Sequence, residues 1–287
     1  MSQIPISRIG LGCVTFGREI DRETSFEILD HARAKGITLY DTAEAYHQGA
    51  SERILGEWMA SRGCREEIVL ATKVTFPLKR ERILKAADES LQRLRTDRID
   101  LYQLHTWDAE TDLEETVGAL QELIRAGKVL RIGCSNFSGE QLRRALAIAE
   151  SKGEVPLQTI QPPYNLIQRE IEEDLLPLCE EREIDVITYS PLAAGFLSGK
   201  YDRSGKIPAG TRFDVIPDHQ PIYCHERGFA ILDRLRELAD ERGESMVQLA
   251  LAWVLQKSGV TSTLIGARHT GHVDQAFSAL GLDAVGM

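Results

Sequence analysis

The sequence predicts a protein of the α/β class, a single (β/α)8 TIM barrel with its active site at the carboxyl-terminal rim of the strands. Two observations predict this fold: eight short β-rich runs alternate with amphipathic helical stretches, and polar residues stand at the ends of the runs. Such alternation favours parallel strands joined by helices, and eight of them favour closure into a barrel. An open doubly wound sheet is the alternative, but it usually has fewer strands and a phosphate site near the first one.

The eight strand candidates follow one another along the whole chain. They are residues 8–12, 37–41, 68–73, 99–105, 129–135, 157–161, 185–190 and 263–267. Between them, apolar residues recur at three- and four-residue spacing, which indicates helices with one buried face. The expected helix N-caps are Asp21 or Thr24, Asp112 and Ser138, and the expected glycine stops are Gly36, Gly127 and Gly153.

Composition sets the broad class of the protein. The chain has 287 residues, 43% of them hydrophobic, and we expect residues 1–287 to form one domain, since barrels of about 250 residues are common. Its net charge of −10 argues against duplex nucleic acid or an anionic membrane as a partner. The start resembles no secretory signal, and no run of about 18 apolar residues is present, which predicts a cytoplasmic protein. Five scattered cysteines without CxxC spacing predict neither a zinc site nor a disulfide framework.

One long irregular stretch follows the seventh strand. It covers roughly residues 196–224 and is rich in Gly, Pro and Asp. Loops of that length in a compact domain are usually functional. We interpret this segment as a flap over the mouth of the barrel.

Three consecutive strand candidates end on ionisable residues at the same strand position. Because strand side chains alternate between faces, Asp41, Lys73 and His105 each continue a mostly apolar face of the strand. Equal intervals of 32 residues separate them, so successive strand–helix units would place them side by side on the rim where barrels carry their chemistry. Tyr46 follows Asp41 in a polar segment. Each residue alone has an ordinary structural explanation, such as a turn or a solvated rim, but their shared register favours a site.

These four residue types suit proton transfer to an oxygen atom that gains negative charge. An ordinary tyrosine pKa of about 10 is too high for efficient proton donation near neutral pH. We expect the Lys73 ammonium to lower the pKa of Tyr46, and Asp41 to keep the lysine charged and oriented. His105 adds a hydrogen-bonding group that would orient a carbonyl oxygen. Hydride addition to an aldehyde or ketone needs such a site, and a cofactor must supply the hydride.

Signals for a nucleotide site are distributed unevenly. The run "GLGCVTFG" (10–17) matches the dinucleotide fingerprint weakly and is more typical of a strand-end turn. In "GARHTGHVDQAFSAL" (266–280), a glycine turn leads from the last strand into a helix, where backbone N–H groups with Arg268 and His272 would hold a phosphate. A plain loop with a surface arginine is the alternative. Lys200, in the long loop, would pair with a pyrophosphate, although a lone lysine is more often just solvated.

Taken together, the motifs resemble the aldo-keto reductase family. They are "GLGCVTFG", "YDTAEAYHQGASERILGE", "LATKV", "DLYQLHTWD", "GKVLRIGCSNFS", "QPPYN", "YSPLAAGFLSGKY" and "LIGARHTGHVDQA", and they recur in the family's order from about residue 8 to 280. The resemblance implies a (β/α)8 barrel without a Rossmann domain, which binds NADP(H) extended across its carboxyl-terminal rim and reduces aldehydes or ketones to alcohols.

The resemblance also implies roles for individual residues. Tyr46 would be the general acid, Asp41 and Lys73 its tuning pair, and His105 the carbonyl-orienting residue. Ser135, Asn136 and Gln161 would hold the nicotinamide, and the ring of Tyr189 would stack on it. The pyrophosphate would lie along Ser190, Leu192, Gly195 and Lys200. The adenosine 2′-phosphate end would be surrounded by Gly266, Ala267, Arg268, His272 and Gln275.

The chain departs from the family pattern at both ends. His272 and Ala276 stand where the family often has Arg and Asn, and a mostly neutral histidine is a weaker phosphate partner than a guanidinium. NADP(H) preference then rests on Arg268, with NAD(H) as an alternative cofactor. At most a few residues precede the first strand in place of the family's floor hairpin, and seven follow Leu280. The expected substrate pocket comprises Val14, Phe16, Phe76, Trp107 and the flap.

Three functions compete on these observations. The first is an NADPH-dependent reductase of a small carbonyl substrate, expected to be a monomer without nucleic-acid or membrane partners. The second is a regulatory subunit that binds a nicotinamide nucleotide with little turnover, because the family includes channel-associated subunits. The third is a Schiff-base aldolase that uses Lys73 on the barrel rim.

Overall fold

The structure is a computed structural model that describes residues 5–283 and 285–287. Its eight strands are all parallel and hydrogen-bonded in chain order, and β1 pairs with both β2 and β8, so the sheet closes into a barrel. The strands are β1 Ile9–Gly12, β2 Leu39–Asp41, β3 Val69–Val74, β4 Ile99–Leu104, β5 Val129–Ser135, β6 Thr159–Gln161, β7 Asp185–Thr188 and β8 Ser262–Gly266. The predicted barrel is confirmed, and each strand begins and ends within two residues of its expected bounds.

Helices connect the strands around the outside of the barrel. They are α1 Arg22–Ala34, α2 Ala50–Arg62, α3 Arg80–Leu94, α4 Leu113–Arg125, α5 Gly139–Ser151, α6 Leu175–Glu181, α7 Arg212–Val215, α8 Gln220–Tyr223, α9 Glu226–Arg242, α10 Met246–Leu255 and α11 Thr270–Ala279. Short 3₁₀ turns occur at Arg65–Glu67, Glu170–Glu172, Ala193–Ser198 and Pro217–His219. Within residues 5–283 and 285–287, no helix is long and apolar enough to cross a lipid bilayer.

The helix boundaries follow local capping chemistry. The Asp21 carboxylate accepts the backbone N–H of Thr24, so Asp21, not Thr24, is the N-cap of α1. Asp112 caps α4 in the same way, and Ser138 forms a reciprocal capping box with Gln141 at the start of α5. The glycines expected to stop helices, Gly36, Gly127 and Gly153, each follow a helix end with a positive φ, which glycine adopts without steric cost.

The apolar interior is divided by the sheet into two clusters. The smaller cluster fills the barrel and comprises Leu39, Val69, Ala71, Leu101, Ile187 and Leu264. The larger one lies between the strands and the helices and includes the alternate residues of the same strands, such as Tyr40, Leu70 and Tyr102. This alternation confirms that Asp41 and Lys73 end inward-facing rows of side chains. A two-residue period would also place Ile37 in the row of Asp41 and Ile99 in the row of His105, but both belong to the outer cluster.

The amino-terminal end of the barrel is partly closed by the segment ahead of β1. Ile6 packs against the inner cluster there. Residues 1–4 lie outside the described part of the chain. The expectation that only a few residues precede β1, in place of a floor hairpin, is therefore compared with residues 5–8 alone. Those residues contain no strand, and Ile6 supplies apolar contact from below.

The segment 196–224 is not a featureless loop, because it contains α7 and α8. Its rings pack on one another, with the centroids of Tyr201 and Phe213 4.1 Å apart. It also contacts two rim loops: Arg212 bonds Glu19 after β1 at 3.0 Å, and Arg268 after β8 donates to the Gly210 carbonyl at 2.8 Å. These contacts attach the segment to the loops after the adjacent strands β1 and β8, while its action as a flap over the mouth stays a prediction.

Candidate active site

The carboxyl-terminal ends of β2, β3 and β4 bring four of the expected residues together. Asp41 is the last residue of β2, Lys73 lies near the end of β3, and His105 directly follows β4. The Lys73 ammonium donates to Asp41 Oδ1 at 2.6 Å, to the Thr42 carbonyl at 2.8 Å and to the Tyr46 hydroxyl at 3.1 Å. The rings of Tyr46 and His105 meet edge to face with centroids 5.7 Å apart.

The Lys73 ammonium is charged although it is fully buried. Burial lowers the pKa of Lys73, but the Asp41 carboxylate and the Tyr46 hydroxyl outweigh it and raise the pKa to about 12. Asp41 is itself only 2% exposed, so the two opposite charges compensate each other inside the protein. The pair therefore fixes a positive charge directly beside the phenol of Tyr46.

The pKa of Tyr46 lies above its ordinary value in this structure. Burial of the phenol raises the pKa; the Lys73 ammonium lowers it, and the nearby Asp41 carboxylate opposes the lysine. Lys73 therefore lowers the pKa of Tyr46 as expected, but desolvation of the phenolate is the larger effect and keeps the pKa above its ordinary value. Tyr46 consequently retains its proton near neutral pH.

His105 is a neutral imidazole at the same position of the rim. Burial and the positive charge of Lys73 lower the pKa of His105 to about 3. A neutral imidazole can donate or accept a hydrogen bond but holds no extra proton to give up near neutral pH. Its chemistry is therefore that of a hydrogen-bonding group beside the Tyr46 hydroxyl.

A second group of expected residues adjoins these four. Gln161, at the end of β6, donates its amide Nε2–H to Asp41 Oδ2 at 3.0 Å, and its backbone carbonyl accepts the Ser135 hydroxyl at 2.7 Å. Asn136 donates to the His105 carbonyl at 2.9 Å and accepts the Tyr189 hydroxyl at 2.7 Å. Sequence reasoning assigned these residues to the cofactor but missed their bonds to Asp41 and His105.

The turn after β7 has an unusual backbone conformation. Ser190, Ala193, Ala194 and Gly195 all have positive φ, and the backbone N–H groups of Ala193 and Gly195 donate within the turn, to the Ser190 and Leu192 carbonyls. A Cβ on Gly195 would lie 2.8 Å from the Lys200 ammonium, so the lysine approaches the backbone as closely as glycine allows. Leu192, also expected here, precedes the 3₁₀ turn. The contact of these residues with a pyrophosphate stays a prediction.

The expected residues after β8 lie around the Arg268 guanidinium. Gly266 ends β8, Ala267 is buried, and Gln275 lies in α11. His272 Nδ1 accepts the backbone N–H of Arg268 at 3.2 Å. The ring of His269, which sequence reasoning did not assign, lies 3.8 Å from that of His272. The three-residue interval between the two histidines was a signal, since such residues are neighbours in a helical turn.

The four residues expected in a substrate pocket have different environments. Phe16 has no exposed surface and packs in the outer core, so here it supports the loop after β1 without offering a contact surface. Phe76 is 63% exposed. Trp107 packs edge to face on Phe137, with the Arg144 guanidinium over its ring. A pocket role for Val14, Phe76 and Trp107 stays a prediction.

Comparison with known proteins gives a consistent result over nearly the whole chain. A family described as the aldo/keto reductase family matches residues 8–284. The chain is 38% identical to the aldo-keto reductase YhdN of Bacillus subtilis, over 94% of this chain and 84% of the relative. It is 32% identical to a probable voltage-gated potassium channel subunit beta of Arabidopsis thaliana (97% and 89%), and 31% identical to the aldo-keto reductase yakc [NADP(+)] of Schizosaccharomyces pombe (96% and 84%).

Proposed function

The chain belongs to the aldo/keto reductase family and is thus an oxidoreductase of small carbonyl compounds that uses a nicotinamide cofactor, and we propose that it reduces aldehydes or ketones to alcohols with NADPH. The observation that supports this proposal most is the contact of one buried ammonium, Lys73, with both Asp41 and the Tyr46 hydroxyl. That arrangement holds a protonated phenol next to a fixed positive charge. The reduced nicotinamide, when bound, supplies the hydride.

Tyr46 is the proton donor in this proposal. Its hydroxyl is protonated near neutral pH, whereas His105, with a pKa of about 3, has no imidazolium proton to give. As hydride reaches the carbonyl carbon, the carbonyl oxygen gains negative charge and takes the Tyr46 proton. The Lys73 ammonium beside the hydroxyl then stabilises the phenolate that remains, through charge attraction in a site of low dielectric constant.

In this proposal, His105 and Asp41 position the groups that react. The imidazole of His105 donates a hydrogen bond to the carbonyl oxygen and so directs it toward the Tyr46 hydroxyl. Asp41 holds Lys73 in place and keeps it charged, since an unpaired ammonium at such burial would lose its proton more easily. Both roles need the edge-to-face contact of Tyr46 and His105 and the 2.6 Å ion pair.

Residues along the rim would hold the cofactor in an extended form. Ser135, Asn136 and Gln161 offer hydroxyl and amide groups for the nicotinamide carboxamide, and Tyr189 offers a ring for stacking. The turn containing Ser190, Leu192 and Gly195, with Lys200, suits the pyrophosphate. Gly266, Ala267, Arg268, His272 and Gln275 suit the adenosine 2′-phosphate end. NADP(H) is the cofactor we propose, with NAD(H) as an alternative, because Arg268 and Lys200 have no carboxylate partner among the described residues.

Replacement of Tyr46 by Phe tests the assignment. It removes the proton donor and leaves the ring, so kcat for an aromatic aldehyde with NADPH should fall by about 10²- to 10⁴-fold. NADPH affinity, measured by cofactor fluorescence, should change little. Tyr102→Phe is the matched control, because the buried Tyr102 hydroxyl has no hydrogen-bond partner among the described residues, and its removal should leave turnover in place.

Two outcomes would favour the competing functions. Tight NADPH binding without turnover of any carbonyl compound would favour the regulatory subunit, the function suggested by the similarity to the Arabidopsis channel subunit. Trapping of a carbonyl substrate on Lys73 by borohydride would favour the aldolase. The pKa of about 12 for Lys73 argues against that reaction, which needs a neutral amine.

A further inference from the structure

Four basic or titratable side chains meet beside α11 without a carboxylate. Arg268, His269 and His272 lie at the start of the helix, and Lys200 approaches from the segment after β7, close enough for its charge to act on His272. Among the described residues, Arg268 and Lys200 take part in no ion pair, whereas most other arginines of this acidic chain do. Asp274, on the same helix, is bound by His31 and Lys35 of α1 instead.

The two histidines are arranged as one unit. Their ring centroids are 3.8 Å apart with planes tilted by 41°. His272 Nδ1 accepts the backbone N–H of Arg268, which leaves its Nε2–H as the donor in the neutral tautomer. The positive charges of Arg268 and Lys200 disfavour protonation of His272 unless an anion is present. Burial, His269, Arg268 and Lys200 accordingly lower the pKa of His272 to about 4.

A dianionic phosphate at this place would reverse the balance of charges. Two negative charges favour a protonated imidazole, so one proton can move from solvent to a ring nitrogen of the pair when the anion binds. The site then gains a third positive charge besides Arg268 and Lys200. A ligand without the phosphate would leave His272 neutral.

We propose, on the premise of the function proposed above, that His269 and His272 recognise the cofactor 2′-phosphate as a pair that takes up one proton on binding, so that the preference for NADP(H) over NAD(H) weakens as the pH rises. The pair replaces a permanently charged arginine by a charge that forms only with the phosphate in place. NAD(H) binding, which brings no charge here, is independent of the pair.

The sign of the pH dependence distinguishes this site from one with fixed charges only. A free phosphate monoester loses its second proton near about pH 6, so a site of fixed cations binds it more tightly as the pH rises through that value. A pair that must take up a proton binds it less tightly at higher pH, by at most about tenfold per pH unit for one proton. Between about pH 7 and about pH 8.5 the phosphate is already a dianion, so a site of fixed cations keeps a nearly constant affinity, whereas the pair that takes up a proton loses affinity.

Calorimetric titration with NADP⁺ and NAD⁺ tests the proposal without requiring turnover. Titrations at about pH 7 in buffers with different heats of ionisation give the number of protons taken up, which we expect to approach one for NADP⁺ and to be near zero for NAD⁺. The double variant His269→Gln/His272→Gln should take up no proton with NADP⁺, so that the difference in proton uptake between NADP⁺ and NAD⁺ disappears. His31→Gln, which removes an imidazole on the outer side of α11, is the matched control and should retain the uptake.

The other outcomes separate this proposal from the proposed function. Preferential NADP⁺ binding without proton uptake, or uptake that persists in the double variant, would overturn the role of the pair and leave the cofactor assignment standing. If neither dinucleotide binds the unmodified protein, the proposed function fails, and the role of the pair fails with it.

Discussion

At the scale of single residues, both oxygens of the Asp41 carboxylate are occupied by neighbours from different strands. Oδ1 accepts from Lys73 of β3 and Oδ2 from Gln161 of β6, on the other side of the barrel. A carboxylate held at both ends cannot rotate, so it fixes the position of the ammonium that it binds. Gln161 thereby joins the group proposed for the nicotinamide carboxamide to the group proposed for proton transfer.

The ion pair of Asp41 and Lys73 can be tested through its coupling. Lys73→Met leaves a buried, uncompensated carboxylate and should destabilise the protein by about 3–5 kcal/mol, whereas Asp41→Asn/Lys73→Met removes both charges and should recover part of that loss. Urea unfolding of the two single variants, the double variant and the parent protein measures the coupling energy.

The same variants test the catalytic role of the pair. If Asp41 acts through Lys73, the double variant should turn over no more slowly than the slower single variant, and NADPH affinity should fall far less than kcat. Additive losses in kcat would show that the two residues act independently. Equal losses of affinity and turnover in Lys73→Met would make the lysine a binding residue.

At the scale of the elements, α2 and α3 approach each other at a glycine. A Cβ on Gly56 would meet the backbone of α3, 2.7 Å from the carbonyl carbon of Leu94. Backbone atoms cannot move aside as a flexible side chain can, so any larger residue separates the two helices. The spacing of this helix pair around the barrel therefore depends on Gly56.

Two glycine substitutions measure this close approach. Gly56→Ala should destabilise the protein by about 1–3 kcal/mol, because overpacking outweighs the better helix propensity of alanine. Gly118 of α4 is the matched control, since a Cβ there has no neighbour within 4 Å, and Gly118→Ala should stabilise by up to about 1 kcal/mol. Thermal or urea unfolding gives both values, and a neutral Gly56→Ala would mean that α2 can shift at little cost.

The elements of the barrel were predictable from the sequence, but the segment after β7 was not. A strand such as residues 129–135 is one short, mostly apolar run between two helical stretches, so its bounds can be predicted from the local sequence. The helices α7 and α8 have only four residues each and are held by contacts such as that of Tyr201 with Phe213. Such long-range packing leaves no periodic signal in the sequence.

At the scale of the whole molecule, acid should destabilise the protein through histidines that are neutral when folded. His105 and His272 have pKa values of about 3 and about 4 in the folded chain, below the ordinary value of about 6.5. Below about pH 6.5, these two histidines therefore bind protons in the unfolded chain but not in the folded chain. The free energy of unfolding falls as the pH falls from about 6.5 toward the pKa values of the folded chain.

Thermal unfolding across the acid range tests this linkage. The Tm should fall between about pH 6.5 and about pH 4.5, and His105→Asn/His272→Gln should flatten the fall in that window because it removes both titrating rings. His31→Gln again serves as the control. An unchanged pH slope in the double variant would show that other groups, such as the paired carboxylates, dominate the acid response.

Register also explains how much of the site could be predicted. Equal spacing along parallel strands places Asp41, Lys73 and His105 on one rim whatever the side-chain details, so sequence sufficed for them. The bond of Gln161 to Asp41 and the raised pKa of Tyr46 depend on distances across the barrel and on burial, which no local pattern encodes. That residues 1–287 form one domain stays a prediction.

The pairing of β1 with β8 has a consequence for synthesis of the chain. Ile9 lies opposite Thr263, so β1 can pair with its second neighbour, β8, only when nearly all of the chain has left the ribosome. Until then β1 and β7 each have one side without a partner strand, and unpaired strand sides attract other chains. Completion of β8 removes both edges in a single step, and the finished sheet offers none to a neighbouring molecule.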